Sequence, residues 1–167
     1  RERILRLAKE SCGFSDGYPG FRIVTLGRLE EQKALELSME ALALLKKDGI
    51  KARWYVLGEG SERKKLEDKI TTFHLEGDFL LMGAVENPYP YLAAADLYVH
   101  ASRFEGKSIA VQEAQVLGKP IIVSDCSGNR EQVEDGKDGL FCELSPKGIC
   151  QAVETLYRNP ELRKMLG

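Results

Sequence analysis

The stretch "LYVHASRFEGKSIAVQEAQVLGKPIIVSD", Leu97 to Asp125, contains the pattern from which the class of fold follows. It opens with the apolar run "LYVHA", passes through a glycine-containing turn, and closes with the apolar run "PIIVSD". Between the runs, from about Ser108, the spacing of apolar residues is that of a helix. Two short apolar strands joined by a helix form a unit of a parallel sheet, and helices must cover the faces of such a sheet. The stretch therefore predicts an α/β protein.

The same alternation extends over most of the chain. Further strands are predicted at "FRIVTL", "ARWYVLG", "DFLLMG" and "GLFCE". Longer helices are predicted at about 34–47, 62–74 and 147–158, and short ones near Tyr91 and Arg130. We predict a Rossmann-like parallel sheet flanked by helices over residues 19–167. Residues 1–18 are predicted to form a leading amphipathic segment or linker, which could belong to a neighbouring domain.

Composition narrows the class of protein. The 167 residues are 43% hydrophobic and 30% charged, which fits one globular domain with a real core. The net charge of −2 provides no basic field, so we expect no nucleic-acid partner. No apolar run reaches 18 residues. The chain starts with Arg1 rather than Met, and we expect it to be a fragment of a longer protein.

The cysteines and histidines indicate the compartment and argue against a metal. The four cysteines show no C-x-x-C pair, which favours a reducing, cytoplasmic environment and buried thiols. They are Cys12, Cys126, Cys142 and Cys150. With only two histidines in addition, His74 and His100, a metal site is not expected. At the end of its strand, His100 is predicted to pack rather than to act as a base.

Parallel sheets bind ligands at the carboxyl ends of their strands, and the polar loops lie there. After the first strand come Arg28 and Lys33, two cations next to a predicted helix start, which is a favourable place for a phosphate. The alternative is that both are solvated residues paired with nearby glutamates. The loop "GEGSER" has two glycines but matches neither the dinucleotide fingerprint nor the Walker pattern.

Two glutamates flank the predicted helix start in the stretch from Leu97 to Asp125. Gly106 would let a ligand approach, and the N–H groups of Lys107, Ser108 and Ile109 would suit a phosphate. Glu105 at the rim and Glu113 further along the helix could accept hydrogen bonds from hydroxyls. A phosphate site between two hydroxyl-binding carboxylates fits a nucleotide sugar. The alternative is that Glu105 only caps the helix, interacting favourably with its dipole, and that Glu113 only pairs with a nearby lysine or arginine.

The run "EGKSIAVQEAQVLGKPIIVSDCSGNREQVEDGKDGLF" resembles the donor-binding half of family 4 retaining glycosyltransferases of the GT-B fold. Glu105 and Glu113 match the family's E-x7-E, and Gly118 and Pro120 match the element that follows it. The G-x-x-E-x-x-x-x-G-x-x-G element is matched by Gly128, Glu131, Gly136 and Gly139. "TLGRLEEQK" is similar to the family's G-R-L-x-x-x-K phosphate-binding element.

The resemblance implies roles for particular residues. Arg28 and Lys33 would contact the donor diphosphate, near the amides of residues 106–108, and Glu113 the ribose. Glu105 would hold the donor sugar, so that Glu105, Arg28 and Lys33 are the predicted catalytic residues. The turn Gly83-Ala84-Val85 would lie by the nucleobase. Two departures stand out: Ala34 follows Lys33 where glycine is usual, and Lys107-Ser108 replaces the commoner aromatic-glycine pair.

The reaction implied is transfer of a sugar from a UDP- or GDP-sugar to an acceptor, in polysaccharide or cell-surface glycan synthesis. Cations and a helix start would stabilise the charge on the departing diphosphate. No D-x-D occurs, so no metal or other cofactor is expected. The acceptor would bind in a missing N-terminal half, the only expected route to membrane contact, and the chain alone is expected to be inactive. A nucleotide-sugar epimerase and a non-catalytic nucleotide-binding module remain alternatives.

Overall fold

A computed structural model describes residues 1–104 and 106–167; Glu105 lies outside the described residues. Its centre is a six-stranded sheet in which every neighbouring pair is parallel, in the order β3-β2-β1-β4-β5-β6. This confirms the predicted Rossmann-like α/β class. The strands are β1 Phe21–Leu26, β2 Ala52–Leu57, β3 Phe79–Gly83, β4 Leu97–His100, β5 Ile121–Ser124 and β6 Leu140–Cys142.

Helices connect the strands where the apolar spacing predicts them. They are α1 Glu2–Leu7, α2 Leu35–Lys47, α3 Arg63–Thr72, α4 Tyr89–Ala94, α5 Ile109–Val116, α6 Ser127–Gln132, α7 Pro146–Arg158 and α8 Pro160–Leu166. A one-turn 3₁₀ helix, Glu31–Lys33, precedes α2. The sequence prediction missed this turn and α8. No helix of the described residues is long and apolar enough to cross a membrane.

The strand order reverses direction at the middle of the sheet. Strand β1 pairs with β2 on one side and with β4 on the other. The connections from β1 and from β4 therefore leave the sheet in opposite directions, which opens a crevice between them at the carboxyl edge. Arg28 and Lys33 lie in the connection after β1, and Ser108, Ile109 and Glu113 in the connection after β4. Gly83 and Val85 lie at the end of β3 and directly after it.

Each face of the sheet carries its own apolar core. On one face α2 and α7 pack together, with Met39, Leu42 and Val153 fully buried. On the other face Leu92 of α4 and Val111 of α5 cover the sheet. Both faces are therefore covered, as a parallel sheet requires.

Trp54 lies in the first of these cores. Its side chain is fully buried, and its indole N–H donates to the Thr25 hydroxyl at 3.0 Å. The Thr25 hydroxyl in turn donates to the carbonyl of Val99 at 2.8 Å. A buried polar chain thus joins β2, β1 and β4 without leaving the indole nitrogen unsatisfied.

The leading segment contacts the domain at two places. Near its start, the Asn87 side chain donates to the carbonyl of Leu7 at 2.9 Å. Near its end, the Phe14 ring packs against the rings of Tyr55 and Tyr91, with centroids 4.3 and 5.2 Å away. None of the residues of α1 is buried. The division into a linker of residues 1–18 and a domain of residues 19–167 stays a prediction.

The four thiols differ in their exposure. Cys142 and Cys150 are buried, and burial raises the pKa of Cys142 to about 12. Cys126 is half-buried and Cys12 is exposed. The prediction of buried thiols is therefore wrong for Cys12, because it lies in the leading segment, outside both cores.

Candidate nucleotide-sugar site

A cleft of about 570 Å³ lies at the carboxyl edge of the sheet, where the crevice opens. Its walls come from the connections that follow β1, β2 and β3, from the end of β4, and from the start of α5. Six of the predicted site residues line it together: Arg28, Lys33, Val85, Ser108, Ile109 and Glu113. Residues up to 85 positions apart in sequence thus share one cavity.

The remaining predicted residues lie at or beyond its edge. Gly83 ends β3, and its carbonyl accepts the N–H of Gly58 at 2.8 Å, so it positions Ala84 and Val85 without lining the cleft. Gly106 and Lys107 are exposed and are not among the described residues of the lining. The prediction for Glu105 concerns a residue outside the described ones.

Arg28 and Lys33 provide the positive charge of the cleft. The Arg28 side chain is 76% exposed, and its Nε donates to the Glu30 carboxylate at 2.8 Å. Pairing with a nearby glutamate was the alternative to phosphate binding that the sequence left open for Arg28. An exposed pair of this kind contributes only about 0–1 kcal/mol, so an anionic ligand can compete with Glu30 for the guanidinium at low cost.

Ala34 explains how the chain turns from the 3₁₀ helix into α2. Its backbone is left-handed, with φ 48° and ψ 37°, and its side chain is fully buried. Glycine adopts this conformation without strain, whereas alanine does so at a cost of about 1–2 kcal/mol. The substitution of alanine for the usual glycine thus leaves a left-handed turn after Lys33.

Gly58 brings the connections after β1 and β2 into direct contact. A Cβ added at Gly58, where φ is 155°, would lie 1.8 Å from the carbonyl oxygen of Gly27. Two hydrogen bonds also join these connections: Gly27 N–H donates to Leu57 C=O, and Leu29 N–H to Glu59 C=O. The "GEG" loop therefore shapes the wall beside Arg28, a role that its sequence did not reveal.

Helix α5 starts at the cleft. Ser108 is its N-cap, and the Ser108 hydroxyl accepts the N–H of Val111 at 3.3 Å. The first helical bond runs from Gln112 N–H to Ser108 C=O. The amides of Ile109 and Ala110 precede that bond and are not used by the helix. The predicted start near Ser108 is confirmed.

The Ser108 amide is already engaged, however. It donates to Oε1 of Gln132 at 2.7 Å, a residue of α6 that the sequence prediction did not single out. The prediction that this amide contacts a phosphate therefore needs correction in this conformation. Ile109 and Ala110, whose amides the helix does not use, also line the cleft.

Glu113 is half-buried in α5, facing α4. Its carboxylate takes part in a hydrogen bond with the Tyr89 hydroxyl, and this bond, followed by burial, raises the pKa of that tyrosine. Tyr89 lies in the segment "NPYPYL", which carries no recognisable functional pattern, so the sequence did not point to it. The Tyr89 hydroxyl is thus a polar neighbour of Glu113 at the cleft.

His100 ends β4 beneath the cleft and borders it. Its ring is 1% exposed, with Nδ1 3.2 Å from the Tyr98 hydroxyl, and it stacks on the Tyr98 ring. The predicted packing role agrees with this burial. The structure adds that His100 is among the residues that line the cleft.

Arg103 and Gln32 tie the two sides of the cleft together. The Arg103 guanidinium donates to the carbonyl of Glu31 and to the carboxylate of Glu36. Backbone and side chain of Gln32 bond to the backbone of residues 103 and 104, at 2.8 and 3.0 Å. The connection after β4 is thereby fixed to the turn that carries Lys33.

Among residues 1–104 and 106–167, no three His, Cys, Asp or Glu side chains are grouped so that they could hold a metal ion.

Comparison with known protein families gives one clear match. The model of "Glycosyl transferases group 1" matches residues 19–167. A curated relative from Campylobacter jejuni is 32% identical over 165 residues, which are 98% of this chain and 43% of that protein. It is N-acetylgalactosamine-N,N'-diacetylbacillosaminyl-diphospho-undecaprenol 4-alpha-N-acetylgalactosaminyltransferase. The chain spans about two fifths of the length of the first curated relatives it matches.

Solved structures agree on the fold. The C-terminal domain of the group 1 glycosyl transferase LpcC from Francisella tularensis superposes with a TM-score of 0.78 at 25% identity. It covers 89% of this chain and 81% of that one. HepE from Anabaena, in complex with UDP, has a TM-score of 0.81 at 23% identity, over 88% of this chain and 42% of that one.

Fold, cleft and family match agree with one another. The chain belongs to the group 1 glycosyl transferases and has the fold of the C-terminal domain of a GT-B glycosyltransferase.

Proposed function

We propose that this chain is the donor-binding half of a retaining, hexosyltransferase-type enzyme of glycosyltransferase family 4. It would transfer a sugar from a UDP- or GDP-sugar to an acceptor held by another part of the same protein. The observation that carries the proposal is that Arg28, Lys33, the start of α5 and Glu113 line one cleft. Cations, helix-start amides and a hydroxyl acceptor are the groups that a nucleoside diphosphate needs.

The diphosphate would lie between the cationic turn and α5. Guanidinium and ammonium groups bind phosphate oxygens, and the amides of Ile109 and Ala110 add donors from the opposite wall. As the anomeric C–O bond breaks, negative charge grows on the departing diphosphate. The helix-start amides are fixed by α5 and stabilise that charge without reorganising, whereas the Arg28 guanidinium first exchanges Glu30 for the phosphate.

The nucleoside would extend along the other wall. The Glu113 carboxylate would accept hydrogen bonds from the ribose hydroxyls, and the base would lie by Ala84 and Val85. UDP is the first nucleotide to test, since the structures of Anabaena HepE and of pneumococcal GtfA both contain it. GDP is the alternative.

The sugar and the biological setting rest on the resemblance. Glu105 would hold the donor sugar at the outer end of the cleft. Relatives act in lipopolysaccharide core and amylovoran biosynthesis, which supports a role in glycan assembly. The four thiols are free cysteines, as a reducing cytoplasm would keep them.

Calorimetric titration of UDP and GDP into the 167-residue chain tests the proposal. We expect one nucleotide to bind, and its affinity to fall about 10- to 100-fold in Arg28→Ala and in Lys33→Ala, because each change removes a charge-assisted hydrogen bond. Lys64→Ala is the control, since Lys64 is 88% exposed on α3. EDTA should leave the affinity unchanged, as no metal is proposed to bridge the diphosphate.

Two outcomes would contradict the assignment. One is the absence of heat with either nucleotide. The other is an unchanged affinity in the double variant that lacks both Arg28 and Lys33, since the diphosphate would then bind elsewhere.

A further inference from the structure

The side-chain amide of Gln132 makes two hydrogen bonds to one residue. Its Oε1 accepts the Ser108 N–H at 2.7 Å, and its Nε2 donates to the Ser108 carbonyl at 2.9 Å. Ser108 lies 24 positions earlier in the chain, on another element. A paired arrangement of this kind fixes both the position and the plane of the bonded groups, which a single bond does not.

Gln132 is itself held on its other side. The Gln115 side chain, from the last turn of α5, donates to the Gln132 carbonyl at 2.9 Å. Helix α5 therefore contacts Gln132 twice, through its N-cap and through its last turn. These bonds join the end of α6 to both ends of α5.

The residue clamped in this way begins the wall of the cleft. Ser108 is the N-cap of α5, and it lines the cleft with Ile109 and Ala110. The orientation of the Ser108 peptide groups sets the direction of the next two N–H groups, because they follow it directly in the helix. Gln132 is not among the cleft-lining residues, so it acts only through Ser108.

We propose that Gln132 is a positioning residue that aims the first-turn amides of α5 at the donor diphosphate. The inference rests on the proposed function, and it adds a residue of α6 that the family's motif residues do not include. The competing explanation is that the paired bonds only stabilise the fold. Under that explanation, their loss would lower the melting temperature and leave nucleotide affinity unchanged.

The substitution Gln132→Glu separates the two explanations. An ionised carboxylate can accept the Ser108 N–H but cannot donate to the Ser108 carbonyl, which it repels. A protonated carboxyl has one donor and one acceptor and restores both bonds. The pKa of an exposed glutamate is about 4.3, and a hydrogen bond that favours the neutral form raises it. Lowering the pH should therefore rescue this variant.

The experiment measures the affinity for UDP at pH 8 and pH 5, as a ratio to wild type at each pH. Taking the ratio cancels the titration of the nucleotide, whose terminal phosphate has a pKa of about 6. We expect Gln132→Glu to bind about tenfold more weakly at pH 8 and within about twofold of wild type at pH 5. GDP replaces UDP if wild type binds GDP.

Two variants complete the design. Gln132→Leu has a similar volume and no polar atoms, so it should lose affinity equally at both pH values. Gln112→Glu makes the same chemical change on the exposed face of α5, and it should match wild type at both. Thermal melting of each variant without nucleotide shows whether it is folded.

The outcomes are distinct. If wild type binds neither nucleotide, the proposed function fails and this inference fails with it. If wild type binds, and both Gln132 variants keep its affinity at pH 8 even with lower melting temperatures, only the inference is overturned. A deficit of Gln132→Glu that persists at pH 5 also overturns it, because the neutral carboxyl would then restore both bonds without restoring affinity.

Discussion

Gly58 shows how much one absent side chain contributes to this cleft. The wall beside Arg28 exists only because the connections after β1 and β2 touch at Gly27 and Gly58. No side chain can enter that contact. The shape of the cleft at this end is therefore determined by backbone atoms.

We expect Gly58→Ala to destabilise the chain by more than about 3 kcal/mol, because its methyl group would overlap the Gly27 carbonyl and its backbone would be strained. Gly49→Ala is the matched control. Its φ of 80° is also unfavourable for alanine, but nothing lies within 4 Å of the added Cβ. It should cost only about 1–2 kcal/mol. Urea unfolding measures both, and equal losses would show that the contact at Gly58 is unimportant.

Ala34 marks the limit of residue-scale prediction from sequence. The sequence showed an alanine where the family has glycine, which left the path of the chain in doubt. The structure gives Ala34 the left-handed conformation that glycine adopts without strain. Its methyl group is fully buried, which the local sequence does not reveal.

At the scale of elements, Asp16 fixes the leading segment to the sheet. Its carboxylate accepts hydrogen bonds from Arg22 of β1 and from Arg53 and Tyr55 of β2. Burial raises the pKa of Asp16, but the bonds from Tyr55, the Tyr18 backbone and Arg22 outweigh it and hold the pKa well below its usual range. The carboxylate therefore stabilises the folded chain only while it is ionised.

We expect Asp16→Asn to lower the free energy of unfolding by about 2 kcal/mol at pH 7, since the donors around it lose a charged acceptor. The folded pKa is depressed, so this contribution is complete above the unfolded pKa of about 3.9 and is lost as the pH falls below it. The difference from wild type should therefore shrink below about pH 4. Urea unfolding at several pH values measures it.

Asp125→Asn provides the comparison for this measurement. Asp125 also pairs with an arginine, Arg130, but both side chains are about 60% exposed. Such a pair contributes little, so the change should be below about 1 kcal/mol. A loss as large as that of Asp16→Asn would mean that anchoring of the leading segment is not what Asp16 provides.

Elements themselves were predictable, and the ties between them were not. The strands follow from short apolar runs such as "FRIVTL", and the start of α5 follows from its serine cap. Helix α8 was not predicted, although "NPEL" carries a helix-start signal. It begins directly after α7 ends, where the Asn159 side chain accepts the Leu162 N–H and caps the new helix. Arg103 bonds to Glu36, 67 positions away, and no local pattern predicts such a pair.

At the scale of the whole molecule, the proposed function assigns donor binding to this chain and acceptor binding to another part of the protein. The cleft opens at one edge of the sheet, and an acceptor site in another domain is a proposal. We expect the 167-residue chain to bind its nucleotide and to transfer no sugar. The intact protein, given a panel of UDP- and GDP-sugars with an acceptor extract, should transfer one of them.

Product analysis by mass spectrometry and NMR measures this transfer and the configuration of the new bond. Transfer by the 167-residue chain alone would contradict the proposed division of labour. Conversion of the donor's stereochemistry by the intact protein without any acceptor would identify an epimerase instead.

The composition of the site was largely readable from sequence, whereas its interior bonding was not. Motif spacing predicted Arg28, Lys33 and Glu113, because those residues follow strands whose ends converge. Gln132 and Tyr89 were not predicted, because each contacts a predicted site residue, Ser108 or Glu113, in a way that only the folded chain creates.

The contact between Gly27 and Gly58 also has a practical consequence for redesign. A mutant library meant to change which donor is accepted gains nothing from diversity at Gly58, where an added Cβ would lie 1.8 Å from the Gly27 carbonyl oxygen. At Gly27 an added Cβ would lie 3.0 Å from the side chain of Lys33, a proposed phosphate-binding residue. Variation belongs at Ala84, Val85 and Ile109, which border the open parts of the cavity. Engineers should hold the glycine pair constant and diversify around it.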